Sequence, residues 1–276
     1  MINAVGNRMT REIARQSKLA DQLERVQVQI SSGKRLQRAS DDAVASQRIA
    51  TIGKAQASST TWAANVRTAQ AHVAQADVAL ASVSNLLVRA RELALSAASD
   101  TMNASDRATV AAELVTIAEE IENFAATRDS NGEPLFAAAN AKVVRFDADV
   151  TFAPVPSASE VFVVGGNSLS VGLLDAAAAI ASGDRAAMDA SLGTLGDAIS
   201  HIADQRAGMG LSAGRLERIG DSLALRDIAL ADERAAVEDV DLSVAIAQLN
   251  AQNLTLEAAQ AAFARINRQT LFDILG

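Results

Sequence analysis

The 276-residue chain has no cysteine and no tyrosine, one tryptophan, two histidines and three prolines. Without cysteine there is no disulfide, no thiolate chemistry and no cysteine zinc site. His72 and His201 alone do not make a histidine metal cluster. Aromatic residues are 3% of the chain, and 60 alanines fill much of its 49% hydrophobic content. The large side chains of a thick globular core are therefore scarce, and alanine-rich seams favour thin, closely approached helical bundles. The N-terminus, Met1 to Arg8, lacks the apolar h-region of a Sec signal peptide. No run of 18 or more apolar residues occurs, so no membrane insertion is expected. A net charge of −8 argues against nucleic acid as a partner.

Proline is confined to Pro134, Pro154 and Pro156, which leaves two long arms free of helix breakers. Both arms carry apolar residues at helical spacing. One run alternates 3-4 without a break: Ile52, Ala55, Ser59, Trp62, Val66, Ala69, Val73, Ala76, Leu80, Val83, Leu87, Ala90, Ala94. It amounts to about six heptads, roughly 65 Å of helix. No compact enzyme needs a helix of that length. The pattern predicts an extended rod folded back on itself, the kind of element that builds assemblies.

The first helix is expected from about Asn3 to Ser32, with the seam Leu19, Leu23, Val26, Ile30 and with Gly33 beyond its end. Asp41 or Asp42 caps a second helix that starts near Ala43 and runs to about Ser99. Ser105 is read as the cap of a third helix with the seam Val110, Leu114, Ile117, Ile121, Phe124. Asn131-Gly132 is a turn. Short β-type runs follow: Val143–Phe146, Val150–Phe152, Val161–Val164 and Ser168–Val171. They predict two or three hairpins. Helix resumes near Asp184 and continues, weakened by glycines, past Leu230. The last helix places Leu242, Ile246, Leu249, Asn253, Leu256, Gln260 and Phe263 at 3-4 spacing. Leu271, Phe272, Ile274 and Leu275 close the chain. Residues 1–38 hold eight basic side chains against three acidic ones, and residues 232–276 hold seven acidic against three basic. Opposite charge favours the two ends lying together.

Nothing in the chain has the makings of a catalytic site, and no cofactor or metal is expected. Gly208-Met209-Gly210 with Gly214 has dinucleotide-loop glycines at the wrong spacing, with no strand before them. Glu119, Glu120 and Glu122 diverge around a helix rather than converging. His72, His201, Arg89, Arg91 and Arg107 read as seam or surface residues, and no nucleophile–base pair is present.

The segment Ile30-Ser31-Ser32-Gly33-Lys34-Arg35-Leu36-Gln37-Arg38-Ala39-Ser40-Asp41-Asp42-Ala43 resembles the motif that ends the first helix of the bacterial flagellin family, which includes the flagellin-like hook-associated proteins. Its signature falls on Gly33, Arg35, Leu36, Ala39, Asp41 and Asp42. The likeness extends to Asn65, to Arg89–Ala94, to Asn131-Gly132-Glu133-Pro134-Leu135-Phe136 and to Arg206–Glu217. The ending Leu271-Phe272-Asp273-Ile274-Leu275 is most similar to the Ser-Leu-Phe-x-x-Leu ending of members at the hook–filament junction. There are departures: Ala43 stands where proline is common, Ala137-Ala138 where Ala-Gly is common, and Gly214 where filament flagellins carry asparagine.

Together these features imply a mainly α chain, an elongated antiparallel coiled-coil rod with paired N- and C-terminal helices and a small central β-hairpin region. The expected domains are 1–33 with 243–276 as a terminal coiled coil, 34–134 with 180–242 as a helical rod, and 135–179 as a minimal variable insertion. Leu19, Leu23, Val26, Ile30, Leu242, Ile246, Leu249, Leu256, Phe263, Leu271, Phe272 and Leu275 are the expected assembly surface. The resemblance implies a structural, non-enzymatic flagellar subunit, at the hook–filament junction or as a short filament flagellin. It also implies self-assembly, contact with hook-associated protein 1 and flagellin, and export by the flagellar type III apparatus with a chaperone. Such a protein leaves the cell without a cleaved signal peptide and ends in the extracellular flagellum. A cytosolic coiled-coil scaffold explains the heptads but not the motif.

Overall fold

The computed structural model describes residues 2–99 and 102–275, with side chains from Met9 to Arg265. Seven helices and four two-residue strands are present among them. The chain forms two compact units: Met1–Ala57 with Asp227–Gly276, and Ser58–Arg226. The boundaries fall inside two unbroken helices, α2 (Ala43–Ala97) and α6 (Arg185–Glu238).

The first unit contains α1 (Ile2–Ser32), which packs against α7 (Leu242–Leu275). Among the described residues its buried apolar side chains are few: Val26, Ala45, Ile52 and Ala245.

The second unit holds the main core. The 3-4 line of α2 is buried at every position from Val66 to Ala94, and Ser59 is buried with it. On α6, Met188, Leu195, Ile202, Met209, Leu216 and Leu223 are buried at intervals of one heptad. The repeat keeps one stripe facing inward along both helices. The six glycines from Gly193 to Gly220 lie within α6 without ending it, because packing of that stripe outweighs the roughly 1 kcal/mol helix penalty of each. One 18-residue window of α2 reaches a mean hydropathy of 1.2, enough by length and composition to cross a membrane. A third of that window is buried inside the protein.

α3 (Ala104–Ala125) packs on α5 (Leu169–Ser182). Leu114, Ile117 and Ile121 of its expected seam are buried. Its cap is Asn103, whose side chain accepts from the Asp106 N–H at 2.9 Å, and not Ser105. Asn103 is the residue in extended conformation two places earlier, where an N-cap must stand.

Two antiparallel hairpins form the β region. β1 (Val144–Arg145) pairs with β2 (Thr151–Phe152), and β3 (Val163–Val164) pairs with β4 (Asn167–Ser168). Phe146 packs against Phe152 with ring centres 4.7 Å apart and planes tilted by 43°, and the Arg215 guanidinium lies 4.0 Å over the Phe152 ring. Asp147 takes both guanidinium nitrogens of Arg226, at 2.7 and 2.8 Å. Arg226 holds that carboxyl below the usual range against the opposing effect of burial.

Two expected strands are corrected. Val161-Phe162 ends a short helix, α4 (Ala158–Phe162), which begins at a Ser157–Glu160 capping box. Leu169–Val171 begins α5: Ser168 caps it, and Leu169, Leu173, Ala176, Ala177 and Ile180 make its buried face. α5 stops at Gly183 with φ +75, the left-handed geometry that favours glycine.

Candidate assembly surface

The surface at issue is built from α1 and α7. Val26 and Ala245 are buried, and Leu19, Leu23, Ile30, Leu249, Leu256 and Phe263 are half-buried. Leu242 and Ile246 flank Ala245 and stay half-exposed. The side chains of Leu271, Phe272 and Leu275 lie outside the described residues. Gln16 Nε2 and Gln252 Oε1, one on each helix, are buried without a partner among the described residues. Each such group costs about 1–3 kcal/mol, so the pair is weakly held.

The two helices differ sharply in chemistry. From Met9 to Ser32, α1 carries seven charged residues. From Leu242 to Arg265, α7 carries only Glu257 and Arg265. Leu242, Val244, Ile246 and Leu254 are exposed on α7, Leu254 to 69%. Met9, Ile13 and Val28 are exposed on α1. Large apolar side chains exposed together on one helix mark a surface that a partner covers. Here α7 is covered along one side by α1.

The family-motif residues converge where the chain turns at the ends of α1 and α6. Gly33 adopts φ +70 and ends α1. Its carbonyl accepts from the Val240 N–H at 3.0 Å, and the Arg35 N–H donates to the Glu238 carbonyl at 2.8 Å. The Arg35 guanidinium donates to the Val237 carbonyl at 3.0 Å and lies 3.7 Å from Asp42. Lys34 pairs with Glu238 at 2.5 Å, and Arg234 donates to the same carboxylate at 2.7 Å. Arg234 and then Lys34 hold the Glu238 carboxyl below its ordinary range, against burial. Asp41 accepts from the N–H groups of Gln37 and Arg38, at 3.1 and 2.8 Å. Asp42 caps α2 through the Ala45 N–H, and Asp241 caps α7 through those of Ser243 and Val244. Leu36 is half-buried, and the carbonyl of exposed Ala39 accepts from Ser46 Oγ at 3.2 Å. The motif is thus a clasp that sets where α1 and α7 start and stop. Spacing alone did not reveal its long-range half at Val237–Val240. The available signal was the acidic run Glu238-Asp239 facing Lys34-Arg35.

Elsewhere, His72 lies 3.4 Å from Asp129 and His201 lies 2.9 Å from the Glu160 carbonyl. Arg89 reaches from α2 to Glu113 on α3 at 3.0 Å. Each ties one element to its neighbour.

The N-terminal helical region of bacterial flagellin matches residues 3–141, and the flagellin C-terminal helical region matches residues 192–275. The flagellar hook-associated protein 3 of Escherichia coli (strain K12) is 23% identical, over 89% of this chain and 90% of its own. The flagellar filament 33 kDa core protein of Treponema phagedenis is 27% identical, over 87% of each chain. Two solved structures share the fold. FlgL of Xanthomonas campestris gives a TM-score of 0.57 at 15% identity, covering 67% of this chain and 99% of that one. The flagellar junction protein FlgL of Legionella pneumophila gives 0.53 at 12% identity, covering 71% and 100%.

Proposed function

The chain belongs to the bacterial flagellin family, and from that premise we propose that it is the hook–filament junction subunit of the flagellum, joining hook to filament by packing rather than by catalysis. The observation that carries this reading is α7, nearly free of charge and packed against α1, with Leu242, Val244, Ile246 and Leu254 left exposed. In a monomer its exposed leucines, isoleucine and valine face water. Between neighbouring subunits each large apolar side chain contributes about 1.5–3 kcal/mol when fully buried. That gain offsets the entropy of ordering the terminal pair.

The assembly surface on this reading comprises the half-buried α1/α7 residues, the exposed Leu242 and Ile246, and the terminal Leu271, Phe272 and Leu275. Its partners are identical subunits and the adjoining axial proteins, hook-associated protein 1 on one side and flagellin on the other. A weakly held terminal pair suits passage through a narrow type III channel with a chaperone and without a cleaved signal peptide.

A short filament flagellin is the second reading, favoured by the likeness to the Treponema filament core protein. The ending Leu271-Phe272-Asp273-Ile274-Leu275 supports the junction instead. Immunogold labelling of intact flagella separates the two: a single spot where hook meets filament supports the junction role, and label along the filament overturns it.

A further inference from the structure

The charged face of α1 opposite its apolar flank has no use in the fold described above. At 100° per residue, Arg11, Arg15, Lys18 and Arg25 fall within an arc of about 80°. All four are exposed. None forms an ion pair among the described residues. Gln22 completes the arc, and no acid interrupts it. Met9 and Ile13 lie on the other side of the buried line.

The first 38 residues are basic, so the negative excess of the chain lies elsewhere. Many of those acids are already engaged: Asp77 by Arg206, Asp147 by Arg226, Glu233 by Arg48 and Glu238 by Lys34. Glu119, Glu120 and Glu122 are exposed but point around α3 in different directions. On α6, Glu217 and Asp221 are exposed, free of ion pairs among the described residues, and four residues apart on one line. Leu225 follows on the same line, 70% exposed. Glu217 also lines a groove of about 490 Å³, together with Val73, Met209, Gly210 and Gly214.

We propose that the α1 stripe of one copy docks on the Glu217–Asp221–Leu225 line of a second copy. Arg11 and Arg15 are spaced four apart, as Glu217 and Asp221 are, so two guanidiniums meet two carboxylates across the contact. The stems of Lys18 and Gln22 then cover Leu225. The two surfaces differ, so the contact is heterologous. It passes from copy to copy and closes as a ring or winds as a helix, in keeping with the axial role proposed above, on which it rests.

The lack of native cysteine makes the test clean. Full-length Lys18→Cys and Leu225→Cys proteins, mixed at high concentration and oxidised, should give mixed disulfide dimers at least about tenfold above either protein alone. Arg11→Glu with Arg15→Glu, and separately Glu217→Arg with Asp221→Arg, should each cut incorporation into sheared flagella about tenfold. Combining the two pairs should restore it to within about twofold. All these positions are exposed, and an unchanged melting temperature confirms that each variant folds. Mixed dimers no more abundant than self dimers, or a combined variant as defective as the separate ones, overturn the contact. If the wild-type chain is absent from flagella, the axial reading falls, and the cross-link in purified protein still decides whether the contact exists.

Discussion

Placing aspartate at Leu80 and at Val78 tests the 3-4 line of α2 with one chemistry at two positions. The residues are two apart on the same helix. Leu80 is completely buried, and Val78 is 67% exposed. Removing a buried leucine side chain costs about 2–5 kcal/mol. An unpaired carboxylate in the same place adds several more, or is driven to protonate. The sum of at least about 5 kcal/mol compares with a total stability of roughly 5–15. At Val78 the same carboxylate stays in water, and the change should lie within about 0.5 kcal/mol. At about 2–4 °C per kcal/mol for a chain of this size, Leu80→Asp should lower the melting temperature by at least about 10 °C or abolish the transition. Val78→Asp should move it by less than about 2 °C. Far-UV circular dichroism melts measure both. Equal shifts, in either direction, would refute the assignment of that line to the core.

Glycine substitutions should split by sign. Gly53→Ala sits within α2 with nothing near the added methyl and should stabilise by about 0.5–1 kcal/mol, whereas Gly33→Ala, at φ +70 with equally open space, should destabilise by about 1–2, both read by chemical denaturation. The clasp should weaken in acid. The Glu238 carboxyl titrates lower folded than unfolded, so its contribution is present above about pH 4.3 and is lost as pH falls through its folded value. The gap in melting temperature between wild type and Glu238→Gln should therefore narrow from pH 7 to pH 3, and a constant gap contradicts the ion-pair role. Breaking Asp147–Arg226 by Asp147→Asn should loosen the first hairpin without unfolding the helices, seen as faster amide exchange over residues 144–152 with an unchanged helical signal.

The long helices were legible because their signal is repeated many times. Thirteen positions of α2 follow one rule, and chance rarely sustains that. α5 was misread because Leu169–Val171 is a short apolar run, and a few residues do not separate period 2 from period 3.6. The decisive residues, Ala176, Ala177 and Ile180, lie further on, past a glycine and an aspartate. Asn103 and Ser105 are both good caps by type, and only the backbone conformation chooses between them. Gly33 and Asp42 were readable as helix punctuation. The long-range partners of Gly33, Lys34 and Arg35 at Val237–Val240 were not, because a bridge across some two hundred residues leaves no local pattern. On α7 the apolar spacing was plain. What spacing does not report is that Leu254, off the seam, stays open to water.

The central claim is that α7 is exposed in the free chain and covered in the assembled flagellum, and a single thiol measures it. Leu254→Cys places the only cysteine of the protein at a residue 69% exposed in the monomer. The account predicts rapid, complete maleimide labelling of purified monomer and labelling slowed by at least about a hundredfold in isolated flagella. Equal labelling in the two states would contradict it.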